Sequence, residues 1–418
     1  METAKRNIHI LQQHPQSNLY IMSSSEKAKA SSGTQQTTAE AAGDRDRGRG
    51  NDSNTNAETT PAKPFVFPTD DLALPKGSLI LVTGATGYIA SHVVNEALAL
   101  GYRVRGSVRN EEKANYLKNE VFAEAAKAGT FETVIVSDLS DAHGFDAAVR
   151  GVDGIVHLAS VLSFSSDPNE VVPVTVAGAV NLLKAAAAEP NRSVKRFVYT
   201  SSSTAASLTI LDKVFHIDAS TWNEAAVAKV QSLTPPYLPD PQIAYTIYGA
   251  SKTEAERAVW KFVEDHRAHA PPDSPLPFTV NAVLPNLNVG RVLGPAGYTA
   301  TIVPSILDGS FKPSFVTPQW FVDVIDDARV HLAALLDKTV ANQRLFAYAS
   351  PYDWNDFVDA VNKARPDRSA TILPRLPPHG KDLSIVDNAA AEALLTKWYP
   401  VSGWKSLEQS VVENLEGK

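Results

Sequence analysis

Apolar residues follow two rhythms along this chain, and both begin only after about residue 72. Short runs that are mostly apolar, SLILVT (78–83), YRVRGSV (102–108), FETVIV (131–136), GIVHLA (154–159), RFVYTS (196–201) and FTVNAVL (278–284), alternate with longer stretches such as ASHVVNEALALG and GAVNLLKAAAAE. Strands covered on both faces read as continuous apolar runs, and stretches with apolar positions three or four apart read as helices. The pattern predicts an α/β fold: a doubly wound parallel sheet with helices on both faces and the first strand near its centre. Right-handed crossovers then place a ligand crevice at the carboxyl ends of the strands. After about Gly290 the rhythm breaks and prolines multiply. Residues 290–418 are expected to form a smaller region, one globular unit with residues 72–289.

Residues 1–71 lack apolar periodicity and are rich in Ser, Thr, Gln, Asn, Ala and Gly. Such a segment cannot offset its ordering entropy, and a disordered tail is expected. Through Asp70 the tail carries eight basic and eight acidic residues, so the formal net charge of −7 belongs to the remainder. An acidic surface argues against nucleic acid and anionic lipid as partners. No stretch offers about 18 consecutive apolar residues, so no membrane span is expected. With no cysteine, disulfides, thiolate metal sites and cysteine nucleophiles are excluded. No secretion signal is evident, and a cytoplasmic location is the expectation.

The first candidate chemistry lies directly after the first strand, in Thr83-Gly84-Ala85-Thr86-Gly87-Tyr88-Ile89-Ala90. Gly84 permits a tight turn, Gly87 lets backbone approach a pyrophosphate, and Ala90 lets helix and strand pack closely. The following helix start supplies free N–H groups and a positive dipole end. This is a Rossmann-type cofactor turn with Gly-x-x-Gly-x-x-Ala spacing. At the end of the second strand, where an acid would hold the ribose 2′-hydroxyl of NAD, the chain has Arg109-Asn110 and then Lys113. Guanidinium matches phosphate bidentately, so Arg109 and Lys113 point to the 2′-phosphate of NADP(H). Thr83, Gly84, Gly87, Tyr88, Ile89, Asp138, Leu139 and Ala159 complete the cofactor set expected here, Asp138 being equally suited to capping a helix.

The second candidate is Tyr248-Gly-Ala-Ser-Lys252, which opens the helical stretch SKTEAERAVWKFVEDH. Positions i and i+4 share a helix face, so phenol and ammonium can meet one cleft. Upstream, the fifth strand ends in Tyr199-Thr200-Ser201-Ser202-Ser203-Thr204, a hydroxyl cluster at the carboxyl edge. Hydroxyls at a strand end can simply satisfy a turn. Together with the glycine turn they suggest hydride transfer between a nicotinamide and a carbonyl, with Ser202 binding the oxygen and Tyr248 exchanging the proton. Lys252 would lower the phenol pKa, ordinarily near 10, and hold the ribose. His157, His216 and His331 show no metal-ligand spacing and are expected to be structural.

These motifs resemble the extended short-chain dehydrogenase/reductases, within them the dihydroflavonol-reductase-like branch and especially its fungal aldehyde and ketone reductases. The resemblance runs from about Leu72 to the C-terminus, through LPKGSLILVTGATGYIASHVV, RGSVRNEEKANYL, VKRFVYTSSS, the Trp222-Asn223 segment, YGASKTEAERAVWKF, NAVLPN and GWKSLEQSV. It implies Ser202, Tyr248 and Lys252 as catalytic residues, Pro285 beside the nicotinamide carboxamide, Arg109 at the 2′-phosphate, and a small-molecule carbonyl substrate for a monomer or homodimer. The serine run leaves Ser201 and Ser203 as alternatives to Ser202. LTPPYLPDPQIAY, between Ser202 and Tyr248, reads as an unusually long substrate lid. The competing functions are an NAD-dependent nucleotide-sugar epimerase or dehydratase, and a non-catalytic NADP-binding sensor.

Overall fold

The first apolar run becomes strand β1 (Leu79–Thr83), and all five of its residues are buried. Its side chains alternate between two layers: Ile80 and Val82 face one hydrophobic core, Leu79 and Leu81 the other. The computed structural model describes residues 68–416 except 161, 162, 164, 270–275, 313–315 and 366–372. The remaining strands are β2 (Arg103–Val108), β3 (Phe131–Ile135), β4 (Gly154–His157), β5 (Arg196–Thr200), β6 (Val214–Ile217), β7 (Thr279–Pro285), β8 (Leu287–Val289), β9 (Trp320–Asp323), β10 (Arg344–Ala347), β11 (Ser350–Pro351) and β12 (Leu383–Val386). The helices are α1 (Tyr88–Ala99), α2 (Glu111–Tyr116), α3 (Ala123–Lys127), α4 (Pro168–Ala188), α5 (Glu224–Gln231), α6 (Pro241–His269), α7 (Ile302–Leu307), α8 (Val324–Leu336), α9 (Trp354–Ala364), α10 (Ala389–Trp398) and α11 (Leu407–Leu415).

Seven strands form one sheet in the order β10-β7-β5-β4-β1-β2-β3, every pair parallel. All six strands expected from the sequence are there, and β1 is interior as expected. The order reverses direction between β1 and β4, and a crevice opens at such a point beyond the strands' carboxyl ends. Helices α1, α8 and α10 cover one face, through Val93, Val94, Leu332, Leu335 and Leu395. Helices α4 and α6 cover the other, through Leu182, Leu183, Ala255 and Val259. Between β3 and β4 a series of turns replaces a crossover helix.

Two expectations are corrected. Thr69–Asp71, assigned to the tail, form a 3-10 turn, and the Asp71 carbonyl accepts from Lys338 N at 2.9 Å while its carboxylate pairs with Lys397 at 2.7 Å; the rest of the expected tail, residues 1–67, lies outside the described residues. The boundary at Gly290 does not separate the sheet from the C-terminal residues, because the edge strand β10 and the covering helices α8 and α10 come from beyond it. Helix α4 is long and apolar by composition, yet Asn181 and Lys184 interrupt it, so it offers no run of about 18 apolar residues. Here that apolarity is used in packing, with Val171, Leu182, Leu183 and Ala186 buried.

The C-terminal part also has a core of its own, in which Phe321, Trp354, Phe357 and Val411 pack together. A three-stranded sheet, β11-β9-β8, supports it, and β6 pairs with β12 in a parallel two-stranded sheet beside the crevice.

Candidate active site

Thr83 ends β1 with its hydroxyl oxygen accepting from Leu158 N at 3.0 Å and Ala159 N at 2.9 Å, and 2.8 Å from His157 Nδ1. Two donors already on that oxygen leave its own proton for the imidazole. The ring is buried, and desolvation brings His157 down to about 3, assisted by the nearby Lys252 charge. His157 is thus a neutral structural residue that draws the ends of β1 and β4 together, as expected.

The chain then turns sharply at Gly84, whose φ is +66°. A Cβ there would meet Ala159 Cα at 3.1 Å, and one on Gly87 would meet the Gly84 carbonyl at 3.1 Å. Gly87 caps α1 without any side-chain hydrogen bond, leaving a helix start whose first N–H groups have no side-chain cap. Such a start attracts an anion. Tyr88 is tied elsewhere: its hydroxyl donates to the Gly290 carbonyl at 2.7 Å, and burial pushes its pKa well up. Tyr88 can therefore serve an anion only through its backbone, as can Ile89, whose side chain packs against the core on that face.

At the end of β2, Arg109 is exposed and Lys113 half-buried, and neither side chain has a hydrogen-bond or ion-pair partner among the described residues. By contrast Arg105 is fully engaged, with Glu132 at 2.6 Å and the carbonyls of Ala148 and Arg150. Two unpaired cations flanking a helix start, beside a cradle that a Cβ would fill, fit a phosphorylated dinucleotide. Asp138 caps no helix. Its carboxylate accepts from Ser140 N at 2.8 Å and Ser140 Oγ at 2.7 Å, which holds it below the usual carboxylate range. Leu139 packs over Gly178 of α4, with Asn181 donating to the carbonyl of Ser140 at 3.0 Å.

The three serines after β5 part company. Ser201 Oγ donates to the buried Glu256 carboxylate at 2.6 Å, and Ser203 makes a hydrogen bond with the Tyr348 phenol. Ser202 accepts from Thr204 N at 3.2 Å and from Thr204 Oγ1 at 2.9 Å, and its hydroxyl lies in hydrogen-bond contact with Tyr248. Asn223 fixes this turn by donating to the Thr204 carbonyl at 2.7 Å.

Helix α6 begins seven residues before Tyr248, where the sequence had placed its start. Asp240 caps it, accepting from Gln242 N at 2.8 Å and Ile243 N at 3.1 Å, and Pro241 follows at the first helical position. Part of the expected lid is therefore helix, and Tyr248 sits well inside it. Tyr245, one turn earlier, stacks on Tyr248 with ring centroids 6.4 Å apart. Burial raises the Tyr248 phenol above its ordinary value and the Ser202 hydrogen bond pulls it back. Lys252 lies one turn further along α6. Its ammonium donates to the Thr200 carbonyl at 2.9 Å and stands 5.1 Å from the Tyr199 ring centroid. Burial brings Lys252 down to about 8, with Glu256 opposing.

Pro285 ends β7, paired with Ala347 of β10. Just beyond, a small cavity is lined by Ser203, Tyr245, Asn286, Gln319, Tyr348 and Asp382 together with the apolar Leu208, Phe215 and Ile217. Sequence reasoning had Tyr245 in the expected lid and Asn286 in the NAVLPN segment, but missed Gln319, Tyr348 and Asp382, which come from three separate segments and form no motif. Among the described residues no cluster of three or more His, Asp or Glu could hold a metal ion.

Residues 80–271 match the model of the NAD dependent epimerase/dehydratase family. The chain is 37% identical to aldehyde reductase 2 of Sporidiobolus salmonicolor, over 82% of this chain and 96% of the relative. It is 38% identical to ketoreductase adrE of Penicillium rubens, over 81% and 96%. Its fold superimposes on yeast methylglyoxal/isovaleraldehyde reductase Gre2 complexed with NADPH with a TM-score of 0.66, at 25% identity, covering 80% of this chain and 96% of that one. Glycine turn, serine-bearing strand end and Tyr-Lys helix thus lie within a match that spans nearly the whole of these reductases, and the chain belongs to the NAD dependent epimerase/dehydratase family, among the extended short-chain dehydrogenase/reductases.

Proposed function

We propose that the protein is an NADPH-dependent reductase of ketones or aldehydes, with Tyr248, Ser202 and Lys252 as its catalytic residues. The observation that carries this reading is the meeting of the Ser202 hydroxyl with the Tyr248 phenol at the carboxyl end of β5, where Lys252 is anchored by its bond to the Thr200 carbonyl. Relatives named as an aldehyde reductase and a ketoreductase support the reaction class, and a neighbour solved with NADPH supports the cofactor.

Bound NADPH supplies the hydride, and the chain's own residues supply the rest. The helix start after Gly84 and Gly87 holds the pyrophosphate, and Arg109 and Lys113 hold the 2′-phosphate. Ser202 donates to the carbonyl oxygen as negative charge develops on it. Tyr248 then gives that oxygen its proton. A phenol raised by burial is still protonated at neutral pH, which reduction requires at the outset. Lys252, at about 8, is mostly cationic at neutral pH and so favours the phenolate left behind. It also offers its remaining N–H groups to the ribose.

The test follows NADPH oxidation against methylglyoxal, isovaleraldehyde, aryl ketones and β-keto esters. Tyr248→Phe should bind NADPH normally and lose turnover by about 10²-fold or more, the scale of general acid catalysis. Full turnover in that variant would overturn the assignment.

A further inference from the structure

Thr200, the last residue of β5, has all its polar groups engaged in different directions. Its carbonyl accepts from Lys252 Nζ at 2.9 Å. The N–H of the same peptide unit, on Ser201, donates to the Val283 carbonyl of β7 at 2.8 Å. Its hydroxyl oxygen is 2.9 Å from Nε2 of His331, in a hydrogen bond that crosses to the other face of the sheet. His331 lies on α8 and is wholly buried. Its Nδ1 sits 2.8 Å from the Asp327 carbonyl and 3.2 Å from Asp327 Oδ1. Two acceptors facing one ring nitrogen mean that Nδ1 carries a hydrogen, so the ring orientation is set from below and Nε2 is aimed at Thr200.

Taking the reading of Tyr248 and Lys252 above as its basis, we propose that His331, oriented by Asp327, is a positioning residue for the proton transfer, locking Thr200 so that its carbonyl holds the Lys252 ammonium in place. The link runs Asp327, His331, Thr200, Lys252, from α8 through the sheet to α6. The bond to Val283 holds this peptide unit from one side and the His331 bond holds the Thr200 side chain from the other; a hydrogen bond to a charged donor is directional, so loosening the second constraint serves the ammonium less well. An ammonium without its acceptor loses a partner that favours its charged form, and the phenolate of Tyr248 loses support in turn. The other groups facing the Lys252 ammonium are Glu256 on its own helix, Tyr199 on β5 and His157 on β4. None of these changes when Thr200 or His331 is altered. The charged neighbour of His331 is Asp327, and further toward the start of α8 Asp323 and Asp326 are both engaged by Lys405.

The experiment measures the reverse reaction, NADP+ with isoamyl alcohol or with the alcohol of whichever panel carbonyl turns over faster. In that direction Tyr248 must be ionised, so kcat/KM rises with pH through its pKa. Thr200→Val keeps the β-branched shape and removes the hydroxyl, leaving Nε2 unpaired. The double variant Thr200→Val/His331→Leu removes both partners, which restores much of the stability lost by breaking one. The expected result is that both displace the profile upward by about one pH unit, a loss of roughly tenfold at neutral pH recovered at higher pH. Thr200→Ser should keep the native profile. A profile superimposable on the native one overturns the proposal. So does a loss of equal size at every pH that follows the melting temperature and vanishes in the double variant, or failure of both altered proteins to fold while Thr200→Ser folds. If Tyr248→Phe retains turnover, the reading of the site itself fails; if it is inactive and the Thr200→Val profile is unmoved, only the role of His331 fails.

Discussion

Arg109 is the residue whose side chain was easiest to interpret and hardest to locate. An arginine where an acid would hold a ribose hydroxyl is visible in the sequence, but only the structure shows it without a partner among the described residues while Arg105, four residues earlier in β2, is fully committed. Arg109→Ala should raise KM for NADPH by about tenfold or more, the worth of a charge-assisted hydrogen bond, and leave KM for NADH unchanged. Equal losses with both cofactors would place Arg109 away from the 2′-phosphate. The serine run shows the opposite case. Three identical side chains in a row carry no signal in themselves, and only their neighbours, Glu256, Tyr248 and Tyr348, tell them apart. Gly84 needs both its positive φ and its missing Cβ. Gly84→Ala should weaken NADPH binding and lower the melting temperature together, since the added carbon meets Ala159.

At the scale of elements, β1, β4, β5 and β7 were legible because they are buried almost throughout, and β2 and β3 because enough apolar residues remain in them. Strand β10 was not. Its four residues, Arg344–Ala347, begin with a charge and follow a helix that points to no particular neighbour. The charge is what fixes it in place. Arg344 grips Glu256 of α6 at 2.7 Å and 3.2 Å, donates to the carbonyls of Ala219 and Thr221, and stacks 3.9 Å from the Trp222 ring centroid. The Trp222-Asn223 segment noted in the sequence is thus partly a platform for this guanidinium. Arg344→Met leaves the wholly buried Glu256 without its cation and should cost about 3–5 kcal/mol in denaturant unfolding. Lys261→Ala, which breaks an exposed pair on the same helix, should cost about 1 kcal/mol or less. The start of α6 was misplaced for a different reason: an Asp-Pro pair is a helix start signal, but here it lies inside a proline-rich segment that reads as a loop.

For the whole molecule, two buried groups pull stability in opposite directions as pH falls. His157 drops from its ordinary 6.5 to about 3 on folding, so the unfolded chain binds more protons between those values. Its contribution is complete above about 6.5 and is lost as pH falls toward 3. Asp326 rises from 3.8 to about 6, through burial and the neighbouring Asp323, so the folded chain binds more protons there and gains stability as pH falls from 6 toward 4. Asp326→Asn should therefore steepen acid unfolding between pH 6 and 4, and His157→Gln should flatten it between 6.5 and 3. Thermal melts across that range measure both slopes, and unchanged slopes would contradict the assignments. Neither effect was legible in the sequence, where burial of a particular histidine or aspartate leaves no mark.

The edge strand β10 has a consequence for how the protein is made. The cofactor turn and the Tyr-Lys helix leave the ribosome early, yet the strand flanking β7 is synthesised only at Arg344–Ala347. Until then β7 presents a bare row of backbone donors and acceptors, an open invitation for strands of other nascent chains. Assembly of this nucleotide-binding half is thus timed by residues far downstream of it, and a translational pause before Ala347 would expose that seam to aggregation.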